Sequence, residues 1–232
     1  MFPYQLYGHK RSGTNVIDSY LKDNFNLGKL SAKIDPQNWN KDSILWKHCR
    51  IDLVNENGKL LINSVNDLDR ITFEEYNKNY KKNIIVNDYK TKYIVVYKDI
   101  FSWLPSICRW ARACKWKKKN KLDFVDDYFN YMHKWYLLQN DNKDKILFIN
   151  YEEFFKYGED INSEFVKKIE RFTNFKIEKP LVVRNKVECS GKFDNKKENY
   201  YKKQLYMKEY NNEEIKIIKN HKYYSIVKDT FF

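Results

Sequence analysis

Little punctuates this chain: its 232 residues include only six glycines and four prolines. That scarcity leaves no Pro/Gly/Ser-rich linker, and no internal repeat is visible. Cysteine is equally rare. Cys49, Cys108, Cys114 and Cys189 form no C-x-x-C pair and no Cys/His spacing that suggests zinc. Their default reading is reduced, structural thiols. No apolar run approaches the roughly 18 residues of a membrane span. The opening MFPYQLYGHKR lacks the long apolar core of a secretory signal. The expected location is therefore cytoplasmic.

Basic charge and aromatic residues are plentiful. The chain has 44 Lys and Arg against 31 Asp and Glu, a net charge of +13. A basic surface attracts anions of any kind. Nucleic acid, acidic glycan, anionic lipid and a multiply phosphorylated nucleotide remain open, as does a basic surface with no specific partner. Hydrophobic residues make up 42% and aromatics 17%. That is enough for one packed α/β domain over residues 1–232, despite a mean hydropathy of -0.81.

The elements alternate. FPYQLYG (2–8) reads as a short apolar strand, and GTNVIDSYLKDNF (13–25) as a helix with Val16, Ile17, Tyr20 and Leu21 on one face. SILWKHC (43–49) reads as a second buried strand. Residues 52–90 are ambiguous, with a hairpin signal at Asn57-Gly58 and a polar helix near 72–82. KYIVVYKD (92–99) is the clearest strand. IFSWLPSICRWARACKW (100–116) follows as a helix that Pro105 must kink unless it sits in the first turn. DFVDDYFNYMHKWYLLQ (123–139) is an amphipathic helix and KILFINY (145–151) a strand. SEFVKKIERFTNF (163–175) and NEEIKIIKNHKYYSIVKD (212–229) read as the remaining helices. This order predicts a parallel central sheet flanked by helices, with ligands at the carboxyl ends of its strands. The glycine loop, His48, Lys98 and Tyr151 all fall at such ends.

YGHKRSGTN (7–15) carries the chemistry. Gly8 and Gly13 have the G-x-x-x-x-G spacing of a phosphate-binding loop, whose backbone N–H groups curl around phosphate at a helix start. A nucleotide kinase would have lysine after the second glycine, then Ser or Thr on Mg²⁺. Thr14 stands in that place instead, and the cations, Lys10 and Arg11, lie inside the loop.

Arg11-Ser12-Gly13-Thr14 resembles the [K/R]-S-G-T core of sulfotransferases that use 3′-phosphoadenosine 5′-phosphosulfate (PAPS). In that family the loop binds the donor's 5′-phosphate, and a cation ending a later strand, with a serine eight positions on, grips the 3′-phosphate. Lys98 and Ser106 have that spacing here. Most members have Arg-(Asp/Asn)-Pro at the strand end, where this chain has Lys98-Asp99-Ile100. Lysine grips phosphate as a point charge, without arginine's fork. FINYEEF (148–154) is similar to the family's strand followed by Tyr-Glu-Asp/Glu. The resemblance covers most of residues 2–157, and the rest matches only through a Tyr-rich segment before the last helix. It implies a P-loop-like fold and a donor-binding set of Lys10, Arg11, Ser12, Gly13, Thr14, Asn15, Lys98 and Ser106. The implied product is adenosine 3′,5′-bisphosphate, and the implied reaction is metal-free in-line transfer to a hydroxyl, most readily that of a glycan. Arg11 would neutralise the leaving oxygen.

The acceptor hydroxyl needs a base. His48 is the first candidate, since an unperturbed histidine titrates near pH 6.5. The cytosolic members of the family have a lysine and a histidine at the corresponding strand end, separated by one residue. Here Lys47 directly precedes His48, so on a continuing strand the two would face opposite ways. An interior histidine beside Trp46 is the plain alternative. Glu74 and Glu75 are candidates if the base is a carboxylate. His9 is in the loop and within reach of a phosphate, His133 lies on an aromatic helix face, and His221 sits in a polar helix.

RWARACKWKKKNK (109–121) interleaves seven cations with Trp110 and Trp116, a pattern that suits an acidic glycan or nucleic acid and equally a solvated helix end. Cys189-Ser190-Gly191-Lys192 reads as a late loop over the 3′-phosphate. The competing functions are a P-loop kinase or NTPase, a basic nucleic-acid or polyanion binder without catalysis, and a sulfotransferase-like protein that binds nucleotide without turnover.

Overall fold

The computed structural model describes residues 4–27, 50–56, 59–65, 92–184, 186–187, 191–192 and 194–231. Its elements are β1 (Tyr4–Gly8), α1 (Thr14–Phe25), β2 (Arg50–Glu56), β3 (Lys59–Val65), β4 (Lys92–Tyr97) and α2 (Ile100–Ala113), then α3 (Val125–Asp141), β5 (Ile146–Asn150), α4 (Tyr151–Tyr157) and α5 (Glu164–Thr173). β6 (Lys186–Val187), β7 (Gly191–Lys192), α6 (Asn195–Lys202), α7 (Asn212–Lys219) and α8 (Tyr224–Phe231) are the remaining elements among the described residues. One-turn 3-10 helices occupy Leu122–Phe124 and Leu205–Glu209.

The fold is α/β, with a three-stranded parallel sheet in the order β1-β4-β5. Tyr4 lies opposite Lys92 at one end and Gly8 opposite Val96 at the other; Tyr97 faces Asn150 across the second pair. Tyr93 to Tyr97 are all buried, as befits a central parallel strand covered on both faces. Val16, Ile17, Tyr20 and Leu21 of α1 join Leu6, Ile94 and Val96 in one core. The tips of all three strands thus point the glycine loop, Lys98 and Tyr151 to the same edge of the sheet. β2 and β3 form the antiparallel hairpin expected around Asn57-Gly58, with Glu56 opposite Lys59. SILWKHC and the polar helix near 72–82 lie outside the described residues. Among the described residues no helix is long and apolar enough to cross a membrane.

Pro105 is neither at a helix start nor without compensation. Asp99 caps α2, accepting from the Phe101 N–H at 2.7 Å, so Pro105 falls in the second turn. Having no N–H, it leaves the Phe101 carbonyl without its helical donor. The Tyr210 hydroxyl donates to that carbonyl at 2.9 Å, and its ring meets Phe101 edge-on at 5.3 Å. Tyr210→Phe keeps the ring and removes the donor. It is expected to cost about 1 kcal/mol in urea unfolding; an unchanged midpoint would refute this account of the proline.

The C-terminal pattern read as one helix is two. The break spans residues 220–223, where the His221 Nδ1 accepts from the Tyr223 N–H at 3.2 Å. Its Nε2 lies 3.0 Å from Asp126 Oδ1, and its ring stacks on Phe129 at 4.3 Å. Hydropathy cannot register such a turn, because the contacts that hold it come from α3. α4 was hidden likewise: β5 stops at Asn150, whose side chain accepts from the N–H groups of Glu152 and Glu153 and starts a helix at Tyr151.

Candidate functional site

The loop after β1 is built by close approach. A Cβ on Gly8 would stand 2.6 Å from Ser12 Oγ, Thr14 Cγ2 and the Val96 carbonyl, so only glycine lets β1 lie beside β4 while the loop folds back. Arg11 and Gly13 both have left-handed backbone, with φ of 68° and 94°. Gly13 sits on the face of Tyr151, where a Cβ would be 2.2 Å from the ring. α1 then starts with no side-chain cap and no acidic residue in its first turn, so the positive end of its dipole is left for an anion. Ser12 is buried, and its Oγ, like Arg11 Nε, has no hydrogen-bond partner among the described residues. Buried polar atoms of this kind call for an unfilled role such as ligand binding. Thr14 is buried against Gly8, and Asn15 is half-buried on the first turn.

Helix α2 braces the loop. The Trp103 indole N–H donates to the Lys10 carbonyl at 2.8 Å. The Lys10 ammonium lies 5.0 Å from the Trp116 ring, and the Arg11 guanidinium 5.0 Å from the Trp110 ring. His9 turns inward, its ring 4.0 Å from Tyr131 and 4.8 Å from Trp103, which makes it packing rather than the phosphate contact its place in the loop suggests.

The second half of the site starts at the tip of β4. Lys98 is buried, and its Nζ donates to the Tyr201 hydroxyl at 2.8 Å while lying 4.5 Å from the Tyr151 ring centre. Burial pushes the Lys98 ammonium down to about 7; the Glu152 carboxylate opposes this, and Lys197, Arg11 and Arg109 add to it. Glu152 is buried too, accepting from the Asp99 N–H at 3.1 Å and from the Ser102 hydroxyl. Burial raises its carboxyl to about 7, with Ser102 and Lys98 working against the rise. Asp99 is raised to about 6 by burial, offset in part by the N–H groups it caps. Glu152 therefore ties α4 to the β4–α2 junction and offsets part of the local positive charge.

Ser106 is half-buried, one turn after Ser102 and one turn before Trp110. Ser102 meets Glu152 and Trp110 meets Arg11, so the shared helix face sets Ser106 between Lys98's surroundings and the loop. The loop and Lys98 meet at Tyr151, whose ring lies against Gly13 and 4.5 Å from Lys98 Nζ. His48 and Lys47, with Glu74 and Glu75, lie outside the described residues, as do Cys189 and Ser190. Gly191 and Lys192 form β7, paired with β6.

Sequence reasoning missed three contributors. Arg109 pairs with Glu209 at 3.0 Å and reaches the Tyr200 hydroxyl at 3.4 Å. Lys197, on α6, is pushed down by burial and by the charge of Arg11. Tyr201 bridges α6 to Lys98 and stacks on Phe155 at 4.7 Å. Arg109 was visible only as part of the 109–121 basic run, and the Tyr-rich segment was the signal for Lys197 and Tyr201; neither pattern says what it covers. Of the seven cations in 109–121, Arg109, Lys118 and Lys121 are paired with Glu209, Asp127 and Glu214. Among the described residues no group of three or more His, Cys, Asp or Glu side chains is placed to hold a metal ion.

The site thus has the makings of an anion pocket: a glycine loop at a helix start, two orphaned buried donors, and cations from the loop, β4's tip and α6. No family model, curated protein or solved structure matches the chain.

Proposed function

We propose that this chain is a PAPS-dependent sulfotransferase with a P-loop-like architecture, acting in the cytoplasm on a hydroxyl acceptor of the saccharide class. The observation that carries the reading is that the glycine loop and Lys98 meet on one ring: Gly13 sits against Tyr151, Lys98 Nζ lies 4.5 Å from the same ring centre, and the charge of Arg11 pushes both Lys98 and Lys197 down, with Glu152 opposing this at Lys98. A donor with phosphates on the 5′ and 3′ oxygens of its ribose suits cations supplied by two neighbouring strand tips. In this reading Lys10, Arg11, Ser12, Gly13, Thr14 and Asn15 hold the 5′-phosphate, and Lys98 and Ser106 the 3′-phosphate. The acceptor oxygen attacks sulfur as the bond from sulfur to the 5′-phosphate oxygen breaks. Arg11 balances the charge left on that oxygen, and His48 takes the acceptor's proton, with Lys47 beside it.

Wild-type protein is expected to bind adenosine 3′,5′-bisphosphate in isothermal titration and to prefer it to ATP·Mg²⁺. The reverse preference would replace this reading with a P-loop kinase or NTPase. His48→Ala is expected to bind the bisphosphate normally and lose turnover. The polyanion reading is weakened by the acidic partners of Arg109, Lys118 and Lys121.

A further inference from the structure

Arg11 is held in an unusual way for a semi-buried arginine. Among the described residues no carboxylate pairs with it, and its Nε has no hydrogen-bond partner. Its guanidinium instead lies over the Trp110 ring, 5.0 Å from the centre. Trp110 is 41% exposed, although every residue of α2 from Ile100 to Pro105 is buried. A large indole on the surface gains little from hydrophobic burial. Lys10 repeats the arrangement over Trp116, so two tryptophans hold the loop's two cations.

A π face and a carboxylate differ in what they leave behind. A carboxylate would fix Arg11 by occupying its N–H fork and cancelling its charge. An aromatic ring attracts the guanidinium through its face, leaving the in-plane donors and the positive charge for another partner. At a loop meant to receive an anion, the second arrangement orients the cation without competing with the ligand.

We propose that Trp110 is a positioning residue that holds the Arg11 guanidinium ready for an anion while leaving its charge and donors unspent. The inference rests on the anion-binding reading of the loop. It does not depend on which phosphate-bearing molecule is the natural ligand.

The test is a double-mutant cycle on Arg11 and Trp110, read by isothermal titration with adenosine 3′,5′-bisphosphate and, separately, with inorganic pyrophosphate. Trp110→Ala is expected to weaken binding about 3- to 30-fold and to leave the melting temperature within roughly 3 °C of wild type. Trp110→Phe keeps a ring and should recover most of the affinity. Trp110→Glu should bind more weakly than Trp110→Ala, because it gives Arg11 a competing carboxylate. In the Arg11→Ala background, Trp110→Ala should have no further effect. Additive losses, or Trp110→Glu binding as tightly as wild type, overturn the inference. If wild type binds pyrophosphate but not the bisphosphate, the nucleotide reading fails and the cycle on pyrophosphate still decides the role of Trp110. Binding of neither anion overturns both.

Discussion

Gly13→Ala is expected to lower the melting temperature by roughly 5–15 °C and to abolish binding of adenosine 3′,5′-bisphosphate. Two costs coincide at this position. The backbone has φ of 94°, which places it in the left-handed region where a side chain is strained by about 1–2 kcal/mol. The new methyl would also stand 2.2 Å from two ring carbons of Tyr151. That ring cannot move aside, because it is fully buried, edge-on to Phe155 at 5.0 Å and to Tyr201 at 5.3 Å, with Lys98 at 4.5 Å from its centre. Overpacking of this kind costs about 1–3 kcal/mol more. Each kcal/mol moves the midpoint of a chain this size by about 2–4 °C. Any relief must come from the loop or from Tyr151, and both belong to the proposed site, so binding falls with stability. Differential scanning fluorimetry and titration of the same sample check both halves. A variant that melts within roughly 2 °C of wild type would show that the loop does not hold this shape.

Lys98→Met is expected to weaken bisphosphate binding on the order of 100-fold, the loss of a charge-assisted contact in a buried site. Stability should respond differently. The folded-state value of Lys98, about 7, lies below its ordinary 10.5. Between those limits the unfolded chain holds the extra proton, so this group's contribution to stability rises with pH from about 7 to 10.5. At neutral pH and below, the folded protein bears the cost of a buried ammonium, which methionine removes. An arriving anion favours the ammonium, so above pH of about 7 wild type must take up a proton to bind. Its affinity should then fall as pH rises, by up to about tenfold per unit. Lys98→Arg, charged throughout, should lose that slope. Titration at several pH values in buffers of different ionisation enthalpy measures the uptake directly. A wild-type affinity that stays flat between pH of about 7 and 9, or a Lys98→Met variant that binds like wild type, would remove Lys98 from the site.

Strands and helices whose apolar spacing is set by the core were legible in advance: β1, α1, β4, α2, β5 and α5 fall within the ranges their patterns indicate, and α3 runs two residues past the end of its range. The loop was legible because glycine at two fixed positions has a steric meaning that survives without coordinates. The pairing of Lys98 with Ser106 was legible only as spacing. Elements stabilised by partners far along the chain were not. The break at 220–223 depends on Asp126 and Phe129. Pro105 is accommodated through Tyr210. α6 brings Lys197 and Tyr201 to a lysine about a hundred positions earlier, and nothing in NKKENYYK announces it.

The sequence by itself determined the alternation of the main strands and helices and the place of a glycine loop between β1 and α1, because hydrophobic period and glycine spacing are local properties. It also determined that the loop's cations precede the second glycine. The tertiary structure alone decided what surrounds the cations: tryptophan faces for Lys10 and Arg11, tyrosines for Lys98, acidic partners for Arg109, Lys118 and Lys121 of the 109–121 run. Whether a positive side chain is neutralised or kept available depends on its neighbours in space, and parallel strands joined by long crossovers draw those neighbours from distant segments.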